Sequence, residues 1–103
     1  MLVTLSPNKP TTETTMNITA PTVHLNGTSH KDLWAGYEAA YDAIRVAQEA
    51  FEKIEFNSRD YYVQNPLAWE KAREDRFEQR KALMDAEEYL LQHLLAIRRQ
   101  TEI

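Results

Sequence analysis

The residues of this chain best suited to ligand chemistry lie in the stretch Asn57–Pro66, which contains in succession Arg59, Asp60, Tyr61 and Tyr62. An arginine fork binds phosphate through two parallel hydrogen bonds, and a tyrosine ring offers a flat face on which a base can stack. Binding groups are common on the connections between rigid elements. The stretch therefore predicts a site for an anionic ligand that carries rings. The alternative is that both tyrosines pack the end of the fold and cap open carbonyls.

A second group of candidate residues follows at steps of three and four. Arg73, Arg76 and Arg80 share one side of a predicted helix, beside Trp69 and Phe77. Their guanidinium groups could bind phosphate. Alternatively, their aliphatic stems lie along an apolar seam while their charged ends pair with carboxylates of a neighbouring helix. The carboxylates available for such pairs are Glu49, Glu52 and Glu55.

A third candidate is the sequence Asn26-Gly27-Thr28-Ser29, which directly precedes a predicted helix. The free N–H groups of a helix start point outward and attract anions. Ordinary capping explains the same residues, because a Ser29 hydroxyl can accept from the backbone three residues on, with Asp32 as its box-like partner. Both interpretations remain open at this point.

Most catalytic and metal chemistry finds no support in the sequence. The chain has no cysteine, and His24, His30 and His93 are too scattered for a metal site. It has no phosphate-loop glycine pattern, no nucleophile elbow and no metalloprotease helix motif. Asp60 could act as a lone base, but it has no nameable partners. We therefore expect a protein that is not an enzyme, with no catalytic residues, no metal and no cofactor.

Charge and hydropathy argue against two classes of partner, nucleic-acid polymers and membranes. The net charge of −4 argues against a nucleic-acid polymer as ligand, because such binding requires a basic face. No apolar run reaches the roughly 20 residues of a membrane span, and no signal-peptide pattern begins the chain. A cytoplasmic protein without a membrane partner is expected.

Two long amphipathic segments must position the candidate residues. Helix 1 is predicted from about 30 to about 56, and helix 2 from about 66 to about 99, with Asn65 as N-cap and Pro66 in its first turn. Residues 57–65 form the turn. The predicted seam of helix 1 keeps a seven-residue repeat whose alanines would let a partner helix approach closely. Its members are Tyr37, Ala40, Ile44, Ala47, Phe51 and Ile54.

The N-terminal fifth of the chain differs in composition. Residues 1–20 are rich in Thr, Pro and Asn, which predicts a disordered tail ahead of a helical hairpin domain over residues 21–103. Residues 21–27 alternate apolar and polar side chains, as in a short extended arm or edge strand. Helix 2 is expected to outreach helix 1 by roughly two turns at its C-terminal end. Val23 and Leu25 of the arm would cover that overhang, whose apolar residues are Leu94, Leu95 and Ile97.

These elements predict an all-α fold, an antiparallel helical hairpin with a short N-terminal extended arm. A single pair of helices cannot enclose a core, so we expect self-association as a dimer or tetramer. The hairpin separates Asn26–Ser29 from Arg59–Tyr62 by some ~40 Å of helix rise. Head-to-tail pairing of protomers would bring them together in composite sites.

His24-Leu25-Asn26-Gly27-Thr28-Ser29 before a helix, followed by Arg59-Asp60-Tyr61-Tyr62 between two helices, resembles a pattern of small phage and prophage proteins. The resemblance covers roughly residues 21–103. In size, expected oligomerisation and arginine–tyrosine clusters, the chain is also similar to the small helical phage sponges that sequester nucleotide signals of bacterial immunity. Those signals include the cyclic dinucleotides of CBASS systems. The similarity lies in these general features and not in matched residues.

The resemblance implies a phage protein that binds a cyclic nucleotide, a cyclic dinucleotide being favoured, in the cytoplasm of an infected bacterium without hydrolysing it. Tyr61 and Tyr62 would contact bases, and Arg59 with the arginines of helix 2 would contact phosphates. Thr28 and Ser29 would assist from a neighbouring chain. The alternative is a phage protein–protein interaction or assembly module with no small-molecule ligand, and a third interpretation is a hydrolase of the same signals.

Overall fold

The computed structural model of the chain describes residues 17–101. This part contains helix α1 over His30–Glu52, a 3₁₀ helix over Ser58–Asp60, and helix α2 over Ala68–Arg99. It contains no β-strand, so residues 21–27 form no edge strand. The prediction of an all-α fold is confirmed for this part of the chain.

Helix α1 begins where its capping residue predicts and ends earlier than expected. The Ser29 hydroxyl accepts a hydrogen bond from the Asp32 N–H at 3.1 Å, which satisfies one of the open donors of the first turn. The helix ends at Glu52 and not at about residue 56. Lys53 and Ile54 donate instead to Ala50 and Phe51, three residues back, which tightens the chain out of the helix.

Helix α2 begins two residues later than predicted. Asn65 accepts from the Leu67 N–H at 2.9 Å, a local bond that holds a turn ahead of the helix. The first residue of α2 is Ala68, so Pro66 lies in this turn and not within the helix. The connection from Lys53 to Leu67 is consequently longer than the predicted turn of residues 57–65.

The two helices run antiparallel, and the side of α1 that faces α2 differs from the predicted seam. Tyr41 and Gln48 are half-buried, whereas Ala40, Ala47 and Ile54 are exposed. Gln48 donates to the Leu83 carbonyl at 3.3 Å and to the Glu87 carboxylate at 2.9 Å. The predicted seam is therefore wrong at its two alanines and at Ile54. Larger side chains that reach across to α2 occupy the contact, and the alanines remain outside it.

The register of the pair corrects the predicted overhang. Tyr37, near the start of α1, stacks on His93, near the end of α2, with ring centroids 4.7 Å apart. These two helix ends are therefore nearly level. The extra length of α2 lies at its N-terminal end, where the connection packs against it. Within residues 17–101, the buried side chains are those of His93, Leu94 and Ile97.

Gln100 links the segment before α1 to the end of α2. Its side-chain oxygen accepts from the Val23 N–H at 2.7 Å, and its nitrogen donates to the Pro21 carbonyl at 2.9 Å. Leu25 is 96% exposed and covers nothing, so its predicted packing role is wrong. Most of the predicted disordered tail, residues 1–16, lies outside the described residues.

The concentration of burial at one end of the helix pair makes Ile97 decisive for stability. We expect Ile97→Ala to lower the free energy of unfolding by about 2–5 kcal/mol, because its side chain is fully buried and truncation leaves a cavity. Leu25→Ala, an exposed control, should stay within about 0.5 kcal/mol. Urea titrations followed by circular dichroism at one protein concentration measure both. Equal unfolding midpoints for the two variants would contradict this account of the core.

Candidate functional site

The connection between the helices is closed by three aromatic side chains. Tyr61 meets Phe56 edge to face, with centroids 5.8 Å apart, and lies 5.6 Å from the ring of Trp69. Phe56 and Trp69 are 4.7 Å apart. Tyr61 and Trp69 are half-buried in this cluster. Tyr61 therefore packs the end of the fold, as the alternative interpretation of the tyrosines predicts.

Arg76 lies against the end of α1. Its guanidinium carbon is 4.8 Å from the ring centroid of Phe51 and 4.6 Å from that of Phe56. Its Nη2 donates to the Phe51 carbonyl at 3.5 Å. A cation is favourable there because the last carbonyls of a helix carry partial negative charge. No carboxylate pairs with Arg76 among the described residues.

Several ion pairs between the arginines of α2 and the glutamates of helix 1 were predicted. Among the described residues one of them forms, between Arg80 and Glu52. The Arg80 Nε lies 2.6 Å from Glu52 Oε2, and both side chains are about half exposed. Water screens such a pair, so it contributes little to stability. A ligand anion can compete for Arg80 at small cost, because an exposed ion pair loses little when it exchanges partners.

Arg73 completes the arginine group. Its guanidinium lies over the Trp69 ring at 5.8 Å, and it has no carboxylate partner within residues 17–101. Together the three arginines line a groove of about 240 Å³. The complete lining is Phe56, Arg73, Arg76, Phe77 and Arg80, without an acidic residue.

The sequence already places Phe77 beside the arginines, because it follows Arg73 by four residues and precedes Arg80 by three on one helix side. Phe56 is the lining residue that was not predicted. Phe56 could not be found this way, because it reaches the groove only through the early end of α1.

The remaining turn residues stand apart from internal packing. Arg59, Asp60 and Tyr62 are exposed. Within the part of the chain that the structure describes, their side chains form no hydrogen bond, ion pair or ring contact. They remain available to an external partner, and whether they bind a ligand stays a prediction.

The Asn26–Ser29 group occupies the opposite end of the hairpin. Gly27 donates to the His24 carbonyl at 3.1 Å in a tight turn, and the His24 ring lies over it. Ser29 caps α1, which is the ordinary role weighed for it above. The 23 residues of α1 span about 35 Å. A single chain therefore does not bring this group to the arginine groove.

Titration and metal binding offer little further chemistry. The pKa of Lys71 is raised by its hydrogen bond to Asp75 and by the attraction of that carboxylate. Within residues 17–101 no three His, Asp or Glu side chains are grouped so that they could hold a metal ion. No helix of this part is long and apolar enough to cross a membrane.

Comparison of the chain with protein-family models, with curated proteins and with solved structures finds no match.

The different surroundings of the adjacent tyrosines give a direct test of this geometry. We expect Tyr61→Ala to lower the free energy of unfolding by about 1–3 kcal/mol, because two ring contacts of about 0.5–1.5 kcal/mol each are lost. Tyr62→Ala should change it by less than about 0.5 kcal/mol, because that ring is 67% exposed. Thermal or urea unfolding distinguishes them. Loss of stability in the Tyr62 variant alone would overturn the assignment.

Proposed function

We propose that this chain is a phage-encoded immune-evasion protein that binds and sequesters a cyclic nucleotide signal, preferably a cyclic dinucleotide, without hydrolysing it. It acts in the cytoplasm of the infected bacterium. The observation that carries the proposal is the groove of three arginines and two phenylalanines with no acidic residue in its lining. The phage origin is supported by the resemblance of residues 24–29 and 59–62.

The charge of the groove favours an anion. Of its three guanidinium groups, Arg80 alone has a carboxylate partner, while Arg76 contacts a carbonyl and two rings and Arg73 contacts a ring. Two cations without carboxylate partners among the described residues attract a ligand that carries more than one negative charge. This attraction acts against the opposing charge of Glu70, Glu74 and Glu78 in the adjoining cavity, which Arg73 and Phe77 also line. The two phosphates of a cyclic dinucleotide supply more than one negative charge.

The aromatic surfaces favour a ligand with rings. Phe77 is 61% exposed beside the arginines, so one face is available for stacking. Stacking on an aromatic side chain contributes about 1–3 kcal/mol per base. Phosphates joined to bases therefore satisfy both surfaces of the groove, whereas an inorganic anion satisfies only the charged one.

The size of the groove favours a composite site. Ligand pockets usually have volumes of about 300–1,000 Å³, and this groove has about 240 Å³. We propose that a second copy completes it, in a dimer or tetramer. The Asn26–Ser29 group and the exposed Arg59, Asp60 and Tyr62 are the candidate additions, because each is accessible in the single chain.

Sequestration requires tight binding and abundant protein, not turnover, and each ~1.4 kcal/mol of binding free energy deepens it tenfold.

The second candidate function is a phage protein–protein interaction or assembly module. It is favoured by the internal packing of Tyr61 and Arg76 and by an apolar surface groove beside Phe77 and Met84. A helical partner that carries acidic and apolar side chains would fit that groove.

The affinity of Arg73 variants for cyclic dinucleotides tests the proposed function. We expect Arg73→Ala to weaken binding about 10- to 100-fold, because a charge-assisted hydrogen bond contributes about 1.5–3 kcal/mol. Arg99→Ala is the matched control, since Arg99 is an exposed arginine at the far end of α2. Equilibrium dialysis with labelled nucleotide measures both. Equal affinity of the two variants, or no binding by the unmodified protein, would reject the proposed site.

A further inference from the structure

The outward side of α1 is apolar along its whole length and has no partner within residues 17–101. Its members are small or aliphatic, all are exposed, and they recur at steps of three and four. They are Ala35, Gly36, Ala39, Ala40, Ala43, Val46, Ala47 and Ala50, here called the outer face. The charged residues of α1 from Glu38 to Glu52 lie off this face on the neighbouring flank, with Asp42 at the border between the two.

No contact within the described part of the chain requires a glycine at position 36. A Cβ at this position would meet nothing within 4 Å. Glycine inside a helix costs about 1 kcal/mol relative to alanine. An external backbone that approaches the outer face closely would give this glycine a function. The observation therefore points to a partner helix and not to solvent.

The ends of the outer face carry opposite charges. Asp32 lies on the same side one turn before Gly36, and Lys53, which caps the helix, lies at the other end. Both side chains are exposed, and neither forms an ion pair with a described residue. A helix face that is acidic at its start and basic at its finish is complementary to itself when turned end for end.

We propose that the outer face binds the outer face of a second copy, with the two α1 helices antiparallel around a twofold axis that passes between Asp42 and Ala43. In an antiparallel pair, residues equally far from the twofold axis along the helix lie opposite each other. The point halfway between Asp32 and Lys53 is also halfway between Ala39 and Val46. One twofold axis at that point therefore places Asp32 beside Lys53 of the partner subunit and Ala39 against Val46 of the partner subunit. Small side chains allow the axes to approach to about 8 Å, the lower limit of helix packing.

This inference does not rest on nucleotide binding, although the composite site of the proposed function requires some self-association. A matched pair of valines tests the surface. Val46 on the outer face is 64% exposed and Val63 in the connection is 87% exposed. Sedimentation equilibrium measures dimerisation, and circular dichroism confirms that the helices persist in each variant.

We expect the unmodified protein and Val63→Glu to dimerise alike, while Val46→Glu dimerises at least about tenfold more weakly, since it places two carboxylates against an apolar contact. Reversal of one end charge, Asp32→Lys, should also weaken the dimer. Adding Lys53→Asp in the same chain should restore it, because both pairs are again opposite in sign. A loss of helix stability by Asp32→Lys alone would not be repaired in this way.

Three results would overturn the inference: an unmodified protein that stays monomeric, dimerisation of Val46→Glu equal to that of Val63→Glu, or a double charge reversal without recovery. Nucleotide binding by the same samples separates the two proposals. A dimer that binds no cyclic dinucleotide rejects the proposed function and leaves this interface standing. A monomer that binds one rejects both the interface and the composite site, and leaves sequestration by the arginine groove of a single chain standing.

Discussion

The structure depends on how little two helices can bury between them. Each helix covers one stripe of the other, so α1 has no buried residue and α2 has three, all in its last turns. There Tyr37 stacks on His93, and Leu94 and Ile97 complete the core. Everywhere else in residues 17–101 the side chains keep part of their surface in water. The other features of the chain, its clustered arginines and its exposed apolar faces, follow from this shortage of interior.

Because the helices bury so little, the arginines of the groove both contact the other helix and keep hydrogen-bond donors exposed. Arg76 and Arg80 serve the contact between the helices, one against aromatic rings and one against Glu52. Such contacts use the stem and one edge of a guanidinium and leave its other donors exposed. A surface built from partly satisfied arginines can therefore stabilise the hairpin and attract phosphate at once. Arg73, whose described contact is with an aromatic ring, is the arginine to which the proposed function assigns mainly the second role.

The two long helices and the cap of α1 could be predicted from the sequence because they depend on local chemistry. Ser29 caps α1 as expected, and the apolar period correctly indicates two long helices. The predicted cap of α2 was wrong, because Asn65 and Pro66 lie in a turn before the helix begins at Ala68. The seam and the overhang could not be predicted, because α1 is apolar on two sides and periodicity alone does not say which side meets α2. The different positions of the two adjacent tyrosines could not be predicted either. Tyr61 packs against Phe56, whose position depends on the early end of α1, whereas Tyr62 is exposed.

The most direct measurement of the central claim is mass spectrometry of small molecules retained by the protein. The purified chain would be incubated with cyclic di- and trinucleotides and cyclic ADP-ribose isomers, separated from unbound nucleotide and then denatured. The account predicts recovery of an intact cyclic dinucleotide in near-stoichiometric amount. Recovery of a cleaved product would show a hydrolase, and retention of no nucleotide would contradict sequestration and favour the interaction module.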